Sequence, residues 1–462
     1  MNHRPRLVEV LYRAETGPII EEAAFERTLV TPTIRAAVEH YGIKFDEETA
    51  VNSDDDLADR VFQAGFDVAR DVGLFCQDTS RRIVWTQKEL EAGLRYCPSE
   101  VTFGLGVDTV TLRTRTPEDT NRVGIVGGAY GVPVPEEMYV PLALSYLKEP
   151  IFDSVDNPSL ETVYGHPIKA GTAWEVLGAR REAELALLAA GMVGRSGIPL
   201  GCVEMSPTQL GALAGASWGG YRPSDWHHVS TLSEFKVNHD TLSIATHIAR
   251  IGGALEAYYN PIYGGYVGGA EGVAVAIVAG LILINQTYVA QVYNTRPNHP
   301  FYNCDTTREL IWATGLGIQA LARNTNLITE TLVGPAGGPG TKTMLYENAA
   351  FTLATTVSGQ SAMTASHSAG GAVPRHASGL DAKICGETVH ASSGKTRGEA
   401  NEIVNRLIAL YESDLETNPK GQPFEEVYDQ DTIEPTPEWQ GLYDEVREEV
   451  IGMGLPMDRM VW

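Results

Sequence analysis

The sequence predicts an α/β fold, a closed (β/α)8 barrel carrying a helical N-terminal extension and an acidic C-terminal tail. Three observations lead there. From about residue 101, short β-type runs alternate with longer helical ones. The later runs recur every 25–40 residues, the length of one βα unit. Short apolar stretches such as Ile198-Pro199-Leu200-Gly201-Cys202-Val203-Glu204 have the texture of parallel strands buried on both faces.

Taken in order, residues 1–100 read as helices, with apolar residues spaced by three and four in Ala23–Tyr41, Asp55–Val72 and Thr86–Gly93. Expected strands are Thr109–Arg113, Val123–Gly127, Ile198–Glu204, Leu232–Val237, Leu255–Tyr259, Val289–Asn294 and Ile328–Gly334. Expected helices between them are Ala179–Met192, Gln209–Ala216, Thr241–Ile251 and Arg308–Arg323. The barrel is bounded at residues 101–411, and the segment 412–462, acidic and helical at its end, packs on it as a surface appendage. The most apolar window, Val273–Ile284, is too short to span a bilayer and reads as a buried helix. With no apolar leader of signal-peptide length and five scattered cysteines, a cytoplasmic location is expected.

A net charge of −24 disfavours nucleic acid and anionic membrane surfaces as partners and attracts cations. Three motif readings fail on context. Gly215-Ala216-Ser217-Trp218-Gly219 has the nucleophile-elbow spacing but follows a helical run instead of a strand. Gly394-Lys395-Thr396 and Gly340-Thr341-Lys342 lack the glycine spacing of a phosphate-cradling loop. Cys202, Glu204, Asp225, His227 and His228 offer no local metal-ligand spacing, so no metal is expected, and of the two adjacent histidines only one can face a site.

In a barrel of this kind the strand C-termini carry the chemistry. Those ends supply Glu204, His228 with Glu234, the run Tyr258-Tyr259-Asn260, Asn294 and the glycine-rich segment from Gly334. Tyr258, with Tyr259, Trp218 and Trp226, offers rings for a cation–π cage.

Several long stretches, among them "FGLGVDTVTLR" (103–113), "GIVGGAYGVPVPEEMYVPLALSY" (124–146), "IYGGYVGGAE" (262–271), "GPAGGPGTKTMLYENAA" (334–350) and "GLDAKICGETVHASSG" (379–394), carry a resemblance over nearly the whole chain. The chain resembles the monomethylamine:corrinoid methyltransferases of methanogenic archaea. That resemblance implies a TIM barrel, a homohexamer, and transfer of a methyl group from a methylated amine to Co(I) of a separate corrinoid protein, no corrinoid being held permanently by this chain. It also implies that the site departs from the family pattern. Gly201 stands where the family has pyrrolysine, ahead of a retained Glu204. His228 replaces an acid, Tyr258 a glutamate, and Leu332 and Gly334 a glutamine and a tyrosine.

A catalytic set of Gly201, His228, Tyr258 and Glu204 follows, with Tyr258, Tyr259, Leu332, Gly334, Trp218 and Trp226 around the substrate. Without pyrrolysine, a quaternary ammonium is the expected donor, because it leaves as a neutral amine unaided. The glycines at 201 and 334 are expected to open room for a bulky one, and Arg222, Lys236 and Arg375 are the candidate partners for a substrate carboxylate. Two alternatives stand beside this: a non-catalytic amine-binding scaffold, and zinc-assisted demethylation of an oxygen or sulfur compound through Cys202 and His228.

Overall fold

A computed structural model describes residues 6–201 and 208–457 of the chain. Seven parallel strands pair in one curled sheet: β1 (Gly124–Gly128), β2 (Ser154–Asp156), β4 (His227–Ser230), β5 (Leu255–Tyr258), β6 (Val292–Thr295), β7 (Ile328–Leu332) and β8 (Ala362–Thr364). The gap between β2 and β4 is bridged by Leu200 and Gly201, here β3, through parallel pairs Val155 with Leu200 and Gly201 with Trp226. The sheet thus closes on itself as an eight-stranded barrel. Each strand is followed by a helix: α1 (Glu136–Leu147), α2 (Ala173–Met192), α3 (Gln209–Gly215), α4 (His239–Ile251), α5 (Ala270–Tyr288), α6 (Arg308–Asn324), α7 (Lys342–Val357) and α8 (Gly379–Ala391).

Most of these helices begin where a side chain satisfies the free backbone N–H groups of the first turn. Thr172, Thr208, Asn238, Thr307 and Thr341 all cap in this way. Helix α5 is apolar all round because it is enclosed: it is long and apolar enough to cross a membrane by composition, but 94% of its most apolar window is buried within the protein. Helix Asp55–Val72 of the N-terminal segment lies across it, and the approach is close enough that a Cβ on Gly65 would meet the Val278 side chain at 2.5 Å. The N-terminal segment and this side of the barrel share one core. The C-terminal helix Pro437–Gly452 buries Trp439, Tyr443, Val446 and Val450 in the other large core. The tail packs on the barrel through this buried face.

Several strand expectations need correction. Val110–Arg113 is no barrel strand; it forms a hairpin with Glu100–Phe103. Phe103, Val110 and Leu112 plug the N-terminal end of the barrel against Trp226, Val126, Val292, Ile328 and Ala362. The expected Leu232–Val237 lies in the loop after the true strand β4, with Lys236–Val237 pairing outward onto Leu74–Cys76. Strands β2 and β8 escaped notice altogether, being three residues each with a polar residue, Asp156 or Thr364, turned inward at the end.

Candidate active site

Along a strand, side chains alternate between barrel interior and helix layer. Trp226, Val292, Ile328 and Ala362 form the apolar floor. One alternation further toward the C-terminal ends the inward side chains become His228, Glu256, Asn294, Glu330 and Thr364. Register sets His228 beside Glu256 and Asn294 beside Glu330 on adjacent strands. Asp156 joins them from the end of β2. A polar layer therefore sits on the floor, and its carboxylates are fully or almost fully buried.

The layer is cross-linked. His228 Nε2 lies 3.5 Å from Asp156 Oδ1 and 3.3 Å from Glu256 Oε2. The other Glu256 oxygen accepts from Asn294 Nδ2 at 2.6 Å, and the Trp226 indole N–H donates to Oε2 from below. Glu330 accepts from Thr364 Oγ1 at 2.5 Å. Burial first, then the negative charge and hydrogen bonding of Glu256, pushes the Glu330 carboxyl well above the usual carboxylate range, with Asp156 adding to it. The layer is an acid-rich cup.

Over the cup, beside His228, stand three rings. Tyr130 has its centroid 5.9 Å from His228, 5.8 Å from Tyr258 and 5.1 Å from His367, and His228 and Tyr258 are 5.6 Å apart. The Tyr258 hydroxyl is buried and has no hydrogen-bond partner among the described residues. Burial drives its pKa well above the ordinary phenol value, so it remains a neutral hydroxyl. Tyr130 has a φ of +41°, a left-handed conformation costing about 1–3 kcal/mol for such a residue. The turn is held by Ala129 N–H to Asp156 O (3.0 Å) and Gly131 N–H to Asn157 O (2.9 Å), which aim the ring over the cup.

Among the residues expected from sequence, His228 and Tyr258 meet in this cup, and Leu332 lies on the inward face one alternation beyond Glu330. Glu204 and Cys202 lie outside the described residues. Gly201 is at the cup, but the expected hollow is not: a Cβ there would fall 1.8 Å from Asp156 Oδ1 and 2.7 Å from its Cα. Gly334 is filled in the same way, by the Arg296 guanidinium 2.1 Å from where a Cβ would be. The volume argument for a bulky substrate is overturned at both glycines.

The remaining candidates sit elsewhere. Trp218 is 99% exposed, and Trp226 belongs to the floor. Tyr259 points outward, stacked on Phe235 at 4.9 Å with its hydroxyl on Glu234. Glu234, raised to about 7 by burial, braces the loop at Ile262 N–H. Arg222 is bound to Asp225, Lys236 to Glu22 and Glu26, and Arg375 to Glu425, so none reaches the cup. No group of three or more His, Cys, Asp or Glu positioned for a metal occurs among the described residues.

Sequence reasoning missed Tyr130, Asp156, Glu256, Glu330 and His367. A signal did exist for two of them. Glu256 in "LEAY" and Glu330 in "ITETL" are carboxylates interrupting short apolar runs, which burial makes costly unless the charge is used.

Similarity to known proteins extends over nearly the whole chain. The family model described as "Monomethylamine methyltransferase MtmB" matches residues 6–455. Monomethylamine methyltransferase MtmB2 of Methanosarcina acetivorans is 31% identical over 415 residues, 90% of each chain. MtmB3 of Methanosarcina barkeri is 30% identical over 419 residues, again 90% of each. The crystal structure of the Methanosarcina barkeri monomethylamine methyltransferase superimposes with a TM-score of 0.95 at 28% identity, covering 98% of this chain and 100% of that one.

Proposed function

This chain belongs to the monomethylamine methyltransferase MtmB family, and from that premise we propose that it moves a methyl group from a small methylated ammonium to a corrinoid carried by a separate protein. The observation that carries the reading is the cup: buried Asp156, Glu256 and Glu330 under the rings of Tyr130, Tyr258 and His367. A buried, acid-rich layer facing aromatic rings favours a positively charged guest. Rings within contact of the same guest add about 0.5–2 kcal/mol each.

Methylammonium suits this cup better than a quaternary ammonium. It brings three N–H donors to an acid-rich layer, whereas a quaternary nitrogen brings none. It is also small, in keeping with the side chains packed against Gly201 and Gly334. The relatives are named for monomethylamine, which points the same way.

In the transfer, the acceptor, a Co(I) corrinoid, supplies an electron pair to the methyl carbon. The new bond is Co–C, the broken one C–N, and the nitrogen keeps the C–N pair and departs as ammonia. The carboxylates hold the nitrogen fully protonated up to that point, so that a neutral molecule leaves. Tyr130 and Tyr258 exclude water around the cation and leave its methyl end toward the open ends of the strands, the one direction from which a large acceptor can come. Tyr258 Oη accepts a further hydrogen bond from the ammonium N–H.

Gly201 sustains a second reading. No side chain at that position can form a bond to the nitrogen, and a small quaternary ammonium such as tetramethylammonium needs none. The two are separated by mixing the purified protein with a Co(I) corrinoid and each amine in turn, and following the cobalt absorption. We expect methyl-Co(III) to form with monomethylamine. Formation with tetramethylammonium alone would replace the first reading by the second, and formation with neither would leave an amine-binding scaffold.

A further inference from the structure

A guanidinium beside a cation site calls for explanation, since its charge opposes the guest. Arg296 follows β6, and its side chain runs through the space that Gly334 leaves bare. There Nη1 donates to His367 Nδ1 at 2.9 Å. Nε faces Asp305 Oδ2 at 3.3 Å, and both Asp305 oxygens accept from Gly334 N–H at 3.0 and 2.9 Å. Asp305 thereby offsets the charge of Arg296 at short range.

An arginine can only donate, so His367 Nδ1 must carry its lone pair and the proton must sit on Nε2. Burial, helped by Arg296, also lowers the His367 pKa well below the ordinary imidazole value, leaving the ring neutral. The ring lies flat against Gly371, where a Cβ would fall 1.8 Å from Nε2, and its edge meets Tyr130 at 78°. Ala369, Gly370 and Gly371 all have positive φ, which turns the chain sharply behind it.

We propose that Arg296, admitted by Gly334, is a positioning residue that locks His367 in one neutral tautomer and through it fixes Tyr130 over the cup; its effect on turnover rests on the function proposed above. Neither Arg296 nor Asp305 touches the guest in this arrangement.

The test uses the full chain with ¹⁵N-labelled histidine and two variants, Gly334→Ala and Arg296→Gln. In Gly334→Ala the nearest atoms to the added methyl are the guanidinium end of Arg296, so the fold should persist while the guanidinium is displaced. We expect a pure Nε2–H signature for His367 in the wild type and its loss in both variants. KM for the methyl donor should rise about tenfold, the size of one hydrogen bond to a charged group, with kcat changing less. Unchanged histidine signals in both variants would overturn the proposal. So would changed signals with unchanged KM. A wild type that transfers no methyl group would count against the proposed function, and the histidine signature would still decide the lock.

Discussion

At Tyr258 two contributions can be separated by two substitutions. Tyr258→Phe keeps the ring and removes the hydroxyl that has no partner among the described residues. We expect wild-type melting and a several-fold weaker binding of methylammonium by calorimetry. Tyr258→Ala removes a fully buried aromatic and should lower stability by about 3–5 kcal/mol, read in a denaturant melt. Gly201→Ala is expected to be damaging, because the methyl group meets both the carboxylate and the Cα of Asp156. We expect loss of methyl transfer together with a lowered melting temperature. Trp218→Ala, in contrast, should leave both unchanged, since that ring is in solvent.

At the scale of an element, helix α7 is tied to the glycine-rich loop after β7 by one carboxyl group. Glu347 accepts from Ala336 N–H at 2.8 Å and Gly337 N–H at 2.9 Å, with the Thr306 hydroxyl at its first oxygen. Burial raises its pKa from the ordinary 4.5 to about 7. A raised carboxyl holds a proton in the folded state that the unfolded chain has already released. Its contribution is complete below about pH 4.5 and is lost as the pH climbs through about 7. The size is about 3 kcal/mol at most. Glu347→Gln mimics the protonated acid, so we expect its melting temperature to fall less than that of the wild type between pH 5 and pH 8. An identical slope in the two proteins would remove Glu347 from this role.

For the molecule as a whole, the barrel was legible because its helices alternate with apolar strands such as β5 and β7 at a regular interval. What hid the site was its own chemistry. Strand β4, "HHVS", carries His228 inward, and β8 turns Thr364 inward, so neither has the apolar texture of a buried strand. The apolar text lay next door, in Leu232–Val237, and drew the reading with it. Glu256 and Glu330 were visible as misplaced charges, but Tyr130 was not. Its role depends on a left-handed turn that a tyrosine rarely adopts, and on partners from β2 and from the loop after β8. The glycines at 201 and 334 were read as vacancies because the sequence does not say which neighbour leans in; Asp156 and Arg296 do.

The most direct measurement is a crystal structure of the protein soaked with methylammonium. We expect the nitrogen within hydrogen-bonding distance of at least one of Asp156, Glu256 and Glu330, with the methyl group turned toward the strand ends and Tyr130 beside it. A cation bound away from these carboxylates, or a cup left without it at saturating concentration, would contradict the assignment of the site.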